Sequence, residues 1–265
     1  MPANLLEVRN ISMRFGGLKA IDQLSFSIAP GDLIGLIGPN GAGKTTVFNV
    51  VTGIYQPTFG EVVFDNHSLN DLEPYQVSRL GLTRTFQNIR LFQDLSVLEN
   101  ILTAAAQHVS YGLADAVLHT RRFETQEKAN LDLAMSLLSI FHLEDKKDAP
   151  ATALPYGEQR KLEIVRALAT KPKMICLDEP AAGMNHSETE ELMKTIAQIR
   201  ERFKLTVLLI EHDMKLVMGI CERIIVLDHG IKIEEGPPEK IQNSKKVIEA
   251  YLGVDGSEHQ IRLGS

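Results

Sequence analysis

The segment Leu33-Ile34-Gly35-Leu36-Ile37-Gly38-Pro39-Asn40-Gly41-Ala42-Gly43-Lys44-Thr45-Thr46 decides the fold. Residues 33–37 form an apolar run of strand length, and residues 38–45 match the pattern G-x-x-x-x-G-K-[ST]. The pattern has meaning only between a strand and a helix, and a helix is expected here from Lys44 to about Thr52. Its glycines let backbone N–H groups turn inward around phosphate oxygens, and the helix N-terminus adds the positive end of its dipole. In that arrangement Lys44 reaches the β- and γ-phosphates and Thr45 places its hydroxyl on Mg²⁺. With glycine at about 7% of residues, a chance match in a chain of this length is on the order of one in a hundred.

Outward from this loop, the first third is strand-rich. Residues 5–9, 24–28 and 61–64 read as strands, and Pro30-Gly31-Asp32 as a turn. From about residue 97 to 169 the pattern is helical, with Leu131, Met135, Leu138 and Phe141 on one face. The last third alternates again. Residues 174–177, 206–210 and 223–227 read as strands, and 214–220 as a helix. Ser187-Glu188-Thr189-Glu190 fits a capping box opening a helix whose stripe is Leu192, Ile196, Ile199 and Phe203. Strands alternating with helices predict an α/β core with parallel pairing, and the helical middle predicts a second lobe.

The run Met174-Ile175-Cys176-Leu177-Asp178-Glu179 is an apolar strand ending in two acids. The first acid is suited to support Mg²⁺, and the second to polarise an attacking water. Phe15, Gln87 and His212 gain meaning only from a frame around them, since each taken alone fits an ordinary structural role. The remaining histidines show no paired ligand spacing, and no G-x-S-x-G elbow occurs.

Composition excludes whole classes. Of 265 residues, 44% are hydrophobic and 23% charged, which fits a globular chain and not a disordered one. The net charge of −6 is the wrong sign for a general nucleic-acid binder. No apolar run exceeds four residues, and residues 1–4 lack the pattern of a signal peptide, so a cytoplasmic protein is expected. Cys176 and Cys221 are too few for a disulfide framework, and Cys176 reads as a small buried hydrophobe.

Taken in order, the phosphate loop, Gln87, the segment Leu154-Pro155-Tyr156-Gly157-Glu158-Gln159, the acids Asp178 and Glu179, and His212 resemble the nucleotide-binding subunit of ATP-binding cassette (ABC) transporters. The stretches Arg84-Thr85-Phe86-Gln87-Asn88-Ile89-Arg90-Leu91-Phe92, Glu179-Pro180-Ala181-Ala182-Gly183-Met184-Asn185, Glu211-His212-Asp213-Met214 and Val247-Ile248-Glu249-Ala250-Tyr251-Leu252-Gly253 narrow the likeness. They are most similar to the longer ATPase subunit of branched-chain amino acid importers. The lipopolysaccharide-export ATPase shares the Tyr-Leu-Gly ending but fits the other stretches less well.

The resemblance implies an α/β P-loop NTPase core, an N-terminal antiparallel β subdomain and an α-helical subdomain inserted at about residues 95–169. The nucleotide-binding domain would span residues 5–253, with a flexible tail over 254–265. It implies ATP and Mg²⁺ as ligands. Phe15 would stack on adenine, and Gly38, Pro39, Asn40, Gly41, Ala42, Gly43, Lys44, Thr45 and Thr46 would wrap the triphosphate. Thr45, Gln87 and Asp178 would serve the metal, Glu179 would act as general base and His212 would touch the γ-phosphate. Tyr156, Gly157 and Glu158 would serve ATP held by a second ATPase subunit facing head to tail, in a heterodimer or, in isolation, a homodimer. Two integral membrane permease subunits and, indirectly, a periplasmic or extracellular solute-binding protein would complete the machine, on the inner face of the plasma membrane. No nucleic-acid partner is implied.

Three positions depart from the family pattern. Pro155 stands where Ser is usual and has neither hydroxyl nor N–H to offer a phosphate, and Tyr156 stands where the first Gly is usual. Asn185 replaces the usual Asp. These changes are compatible with a heterodimer whose two ATP sites are unequal. The alternatives are an ABC ATPase for urea, amides, another amino acid or lipopolysaccharide, a soluble ABC ATPase acting on ribosomes or DNA, and a small-molecule kinase using the same loop.

Overall fold

A computed structural model describes residues 4–252. The chain opens with a hairpin, β1 (Leu6–Phe15) and β2 (Leu18–Ile28), turning at Gly16-Gly17. Both strands run longer than the sequence pattern predicts. Their outer ends are exposed, so no apolar alternation marks them. Next come β3 (Leu33–Ile37), α1 (Lys44–Val51), β4 (Phe59–Phe64) and β5 (His67–Ser68). Helix α2 (Pro74–Leu80) and the short strand β6 (Leu82–Arg84) follow, neither of them anticipated.

Between β6 and the next strand lie only helices and turns, apart from one isolated bridge, Ser96 to Pro150. The principal helices are α3 (Val97–Ala105), α4 (Leu113–Val117), α5 (Arg121–Ile140) and α6 (Tyr156–Ala169). Then β7 (Met174–Asp178), α7 (His186–Phe203), β8 (Thr206–Ile210), α8 (Met214–Ile220) and β9 (Arg223–Asp228) restore the α/β alternation. β10 (Ile231–Gly236), α9 (Pro238–Gln242) and α10 (Lys245–Leu252) close the described chain. Gly253 and the expected flexible tail at 254–265 lie outside the described residues.

Two sheets result. One is antiparallel in the order β2-β1-β4-β5. The other has the order β10-β9-β3-β8-β7-β6, parallel from β9 to β6 with β10 antiparallel at its edge. β3, β7 and β8 are buried at every position, which explains their unbroken apolar runs. One apolar cluster joins the parallel sheet to α3, α5, α6 and α7, and a second fills the space between the two sheets around α1. Cys176 and Cys221 are both buried free thiols, and burial pushes each pKa up to about 12. Among the described residues no helix is long and apolar enough to cross a membrane.

Two local expectations are corrected. The cap of α7 is Asn185, not Ser187: its Oδ1 accepts the Glu188 N–H at 3.0 Å, while the Glu188 carboxylate accepts the Asn185 N–H at 2.9 Å. The box is the same device two residues earlier, with asparagine as the cap. The helix carrying Glu158 begins at Tyr156, because Pro155 takes the cap position. Leu131 and Phe203, placed on buried stripes from their spacing, are 41% and 38% exposed. The core contact of α5 is made by Ala134, Leu137 and the expected Leu138, and Phe141 just past its end is buried as expected.

Candidate functional site

Register brings the chemistry together. Ile210 on β8 is level with Leu36 on β3 and with Asp178 on β7. The loop after β3, the acids ending β7 and the Glu211-His212 pair after β8 therefore emerge side by side. This is the carboxyl edge of a parallel sheet, where ligands of open α/β folds bind.

The phosphate loop is pressed against its surroundings. Gly38 has φ 152°, and a Cβ there would lie 2.1 Å from the Leu227 carbonyl oxygen. Gly43 has φ 99°, and its Cβ would lie 2.8 Å from the Ala20 carbonyl oxygen. A side chain fits at neither place. Lys44 opens α1 and is buried. Its Nζ donates to the carbonyls of Gly38 at 2.7 Å and Pro39 at 3.0 Å. Burial pushes its pKa down, against the pull of Glu179 and Asp178. The ammonium is thus bent back over its own loop.

A cleft of about 520 Å³ opens above the loop. Asn40, Gly41, Ala42, Gly43, Lys44, Thr45 and Thr46 form its floor, with Gln87, Glu179 and His212 on one wall and Phe15 on another. Gly38 and Pro39 stand behind the floor and act through their carbonyls on Lys44. Phe15 is 42% exposed and packs edge-on to Tyr55 at 5.3 Å, which leaves the ring available for stacking. Leu18, Lys19, Ala20 and His229 also line the cleft, unforeseen from the sequence.

Glu179 is the hub of the wall. Its backbone has φ 48°, a conformation that costs a non-glycine residue about 1–2 kcal/mol. Its N–H donates to the Ile210 carbonyl at 2.9 Å. His212 Nε2 lies 2.7 Å from Glu179 Oε1, and Gln87 Nε2 donates to Oε2 at 3.3 Å. Behind it, Glu211 is buried and accepts the N–H groups of Ala181 at 3.0 Å and His212 at 3.2 Å. Burial pushes the Glu211 pKa up.

Asp178 is buried too, and burial pushes its pKa up against the opposing pull of Arg84. Arg84 Nη2 lies 3.0 Å from Asp178 Oδ2, and Nη1 donates to Asn49 Oδ1 on α1 at 2.6 Å. Thr45 and Gln87 line both the cleft and an adjoining hollow of about 630 Å³, into which Asp178 also faces. The hydroxyl, amide and carboxylate around this junction are hard oxygen donors of the kind Mg²⁺ takes alongside phosphate and water oxygens. Among the described residues no three His, Cys, Asp or Glu side chains gather as a closed metal cage. The donor set fits an open, phosphate-shared cation.

Tyr156, Gly157 and Glu158 line neither hollow. The Tyr156 ring is exposed and lies over Gly183, where a Cβ would approach Cε1 to 2.8 Å. The Glu158 carboxylate is held by Lys146 at 2.5 and 2.6 Å. The sequence-derived site residues are therefore split between the cleft and a separate exposed helix start. Residue-by-residue reading missed Arg84, Asn49 and Arg160. Only Arg84 had a signal, as part of the Arg84–Phe92 stretch.

Comparison with known proteins agrees with this fold. The family model described as ABC transporter matches residues 21–182, and that described as branched-chain amino acid ATP-binding cassette transporter matches residues 232–257. The high-affinity branched-chain amino acid transport ATP-binding protein LivG of Escherichia coli is 46% identical over 253 residues, covering 96% of this chain and 99% of that protein. The lipopolysaccharide export system ATP-binding protein LptB of Escherichia coli is 32% identical, covering 94% and 98%. A solved ADP conformation of an ATP-binding cassette of an ABC transporter superposes with a TM-score of 0.81 at 31% identity, covering 95% of this chain and 99% of that one. Matched by the family model over most of its length and by these relatives over nearly all of it, the chain belongs to the ABC transporter family, as one of its ATP-binding cassettes.

Proposed function

We propose that this chain is the ATP-hydrolysing subunit of an importer for branched-chain amino acids. The observation that carries the chemistry is the convergence of His212 and Gln87 on the two oxygens of Glu179, across the cleft from Lys44 and Thr45. The substrate class rests on the 46% identity to LivG along its whole length, against 32% to LptB. The reaction is ATP + water → ADP + phosphate.

The residues divide the work. Phe15 offers its open ring to adenine. The backbone of residues 38–46 and the α1 N-terminus hold the triphosphate, and Lys44 leaves its loop carbonyls for the β- and γ-phosphates. Glu179 takes the proton of the attacking water, oriented from one side by His212 and from the other by Gln87. His212 also meets the γ-phosphate. Thr45, Gln87 and Asp178 would hold Mg²⁺, which when bound neutralises developing phosphate charge. Catalysis of this kind is mostly positioning and charge stabilisation.

The separate start of α6 completes the arrangement only across a dimer. Tyr156, Gly157 and Glu158 would face nucleotide held by a second cassette, as the head-to-tail reading requires. Pro155 and Asn185 make the site completed by this chain poorer in donors and charge, which favours a heterodimer with unequal sites. Two membrane permeases would bind the dimer on the inner face of the plasma membrane, with a solute-binding protein acting from the far side.

The test is a mild-detergent pull-down from native membranes with mass spectrometry. Two different multi-span proteins plus a second, shorter cassette are expected. A single membrane partner would point to an export-type or homodimeric machine, and soluble partners alone would overturn the importer.

A further inference from the structure

Arg160 and Glu163, one turn apart on α6, are 1% and 2% exposed. They form an ion pair, Nη1 to Oε2, at 3.1 Å. Both also grip the segment that carries Gln87. Arg160 Nη1 donates to the Phe86 carbonyl at 2.6 Å, and Nη2 donates to the Gln87 carbonyl. Glu163 Oε1 accepts the Phe86 N–H at 3.3 Å. The Phe86 peptide groups are thus held from both edges by one helix, while the Gln87 side chain reaches Glu179.

Packing alone does not account for this arrangement. Burying an ion pair costs as much as it returns, and well-packed apolar residues would serve stability as well or better. Arg160 even leaves its buried Nε without a partner, a further cost. What the pair supplies and apolar residues cannot is a directional hold on two successive carbonyls. The helix supplying it is the one whose first turn carries Tyr156, Gly157 and Glu158. Rigid contact therefore runs from that turn through Arg160 and Glu163 to the Gln87 backbone, and through the Gln87 amide to Glu179.

We propose that Arg160 and Glu163 are positioning residues that set where the Gln87 amide stands against Glu179 according to the placement of the α6 start. A shift of α6 relative to the parallel sheet pulls the Gln87 carbonyl with it and alters the contact with Glu179. The inference rests on the proposed role of Gln87 in hydrolysis.

The experiment is a mutant cycle on the assembled complex carrying wild type, Arg160→Lys, the paired Arg160→Met/Glu163→Met, Gln87→Ala, and the combination of the last two. The paired variant removes both charges together, which avoids leaving either buried alone. It is expected to bind ATP with unchanged affinity and unchanged KM while kcat falls about tenfold. Arg160→Lys, keeping a charge but losing the fork, should be intermediate. In the Gln87→Ala background the paired change should alter kcat by less than about twofold, because its effect passes through Gln87. Losses that multiply in the combination would overturn the proposal. A Gln87→Ala chain with normal kcat would instead remove the role of Gln87, a failure of the functional reading seen in the single variant alone. Should the paired variant not fold, Arg160→Lys and Glu163→Gln run through the same cycle with the same two outcomes.

Discussion

His212 Nε2 stands 2.7 Å from Glu179 Oε1, bridging the ends of two adjacent parallel strands, β8 and β7. The contact orients the carboxylate proposed as base. Glu179→Gln is expected to keep ATP binding and lower turnover roughly a hundredfold or more. Lys44→Ala should weaken binding itself. Equilibrium nucleotide binding beside phosphate-release rates separates the two, and normal turnover in Glu179→Gln would remove the base assignment.

Arg84 balances the buried charge of Asp178. Arg84→Met leaves that carboxylate without its partner, and a loss of about 3–5 kcal/mol is expected. Arg84→Lys should lose less, having a charge but no fork to reach both Asp178 and Asn49. Urea unfolding of the three chains measures the series.

Gly38 and Gly41 both have positive φ, but only Gly38 is crowded. Gly38→Ala, with its Cβ 2.1 Å from the Leu227 oxygen, should cost about 3 kcal/mol. Gly41→Ala, with open space around it, should cost about 1 kcal/mol. Equal losses would mean that backbone conformation alone governs the loop.

The α7 cap offers a test of register. Asn185→Ala should lose about 1 kcal/mol, whereas Ser187→Ala, inside the helix, should be nearly neutral. Thermal unfolding distinguishes them, and the reverse order would restore the cap to Ser187.

Glu211 has a folded-state pKa raised by burial above its ordinary value of 4.5. Its stabilising share is therefore present below that value and declines as pH rises through the raised one. Glu211→Gln does not titrate. The melting temperature of the variant minus that of the wild type should become more positive from acid toward neutral pH. A flat difference would show that the raised pKa is absent.

The parts of the site legible in sequence were those encoded locally. The phosphate loop and Asp178-Glu179 each sit in a short stretch whose chemistry follows from neighbouring residues, whereas Gln87 took its meaning from the family likeness. Arg160 and Glu163 carried no such signal, since charged residues on an amphipathic helix usually meet solvent. Their burial depends on the loop at Phe86, about seventy residues away, folding over α6. β6 was missed for a similar reason. Three residues make no pattern, and β6 is a strand only through its pairing with β7.

The sequence by itself determined the nucleotide-loop chemistry, the α/β alternation, the helical middle and the family likeness, because backbone conformation and apolar periodicity act over a few residues. Tertiary structure alone decided that Leu36, Asp178 and Ile210 share one level, that Glu179 meets both Gln87 and His212, and that the start of α6 stays out of the cleft. Those relations depend on strand order and on which helix packs where. They are set by burying apolar surface over the whole chain, and no local pattern carries them.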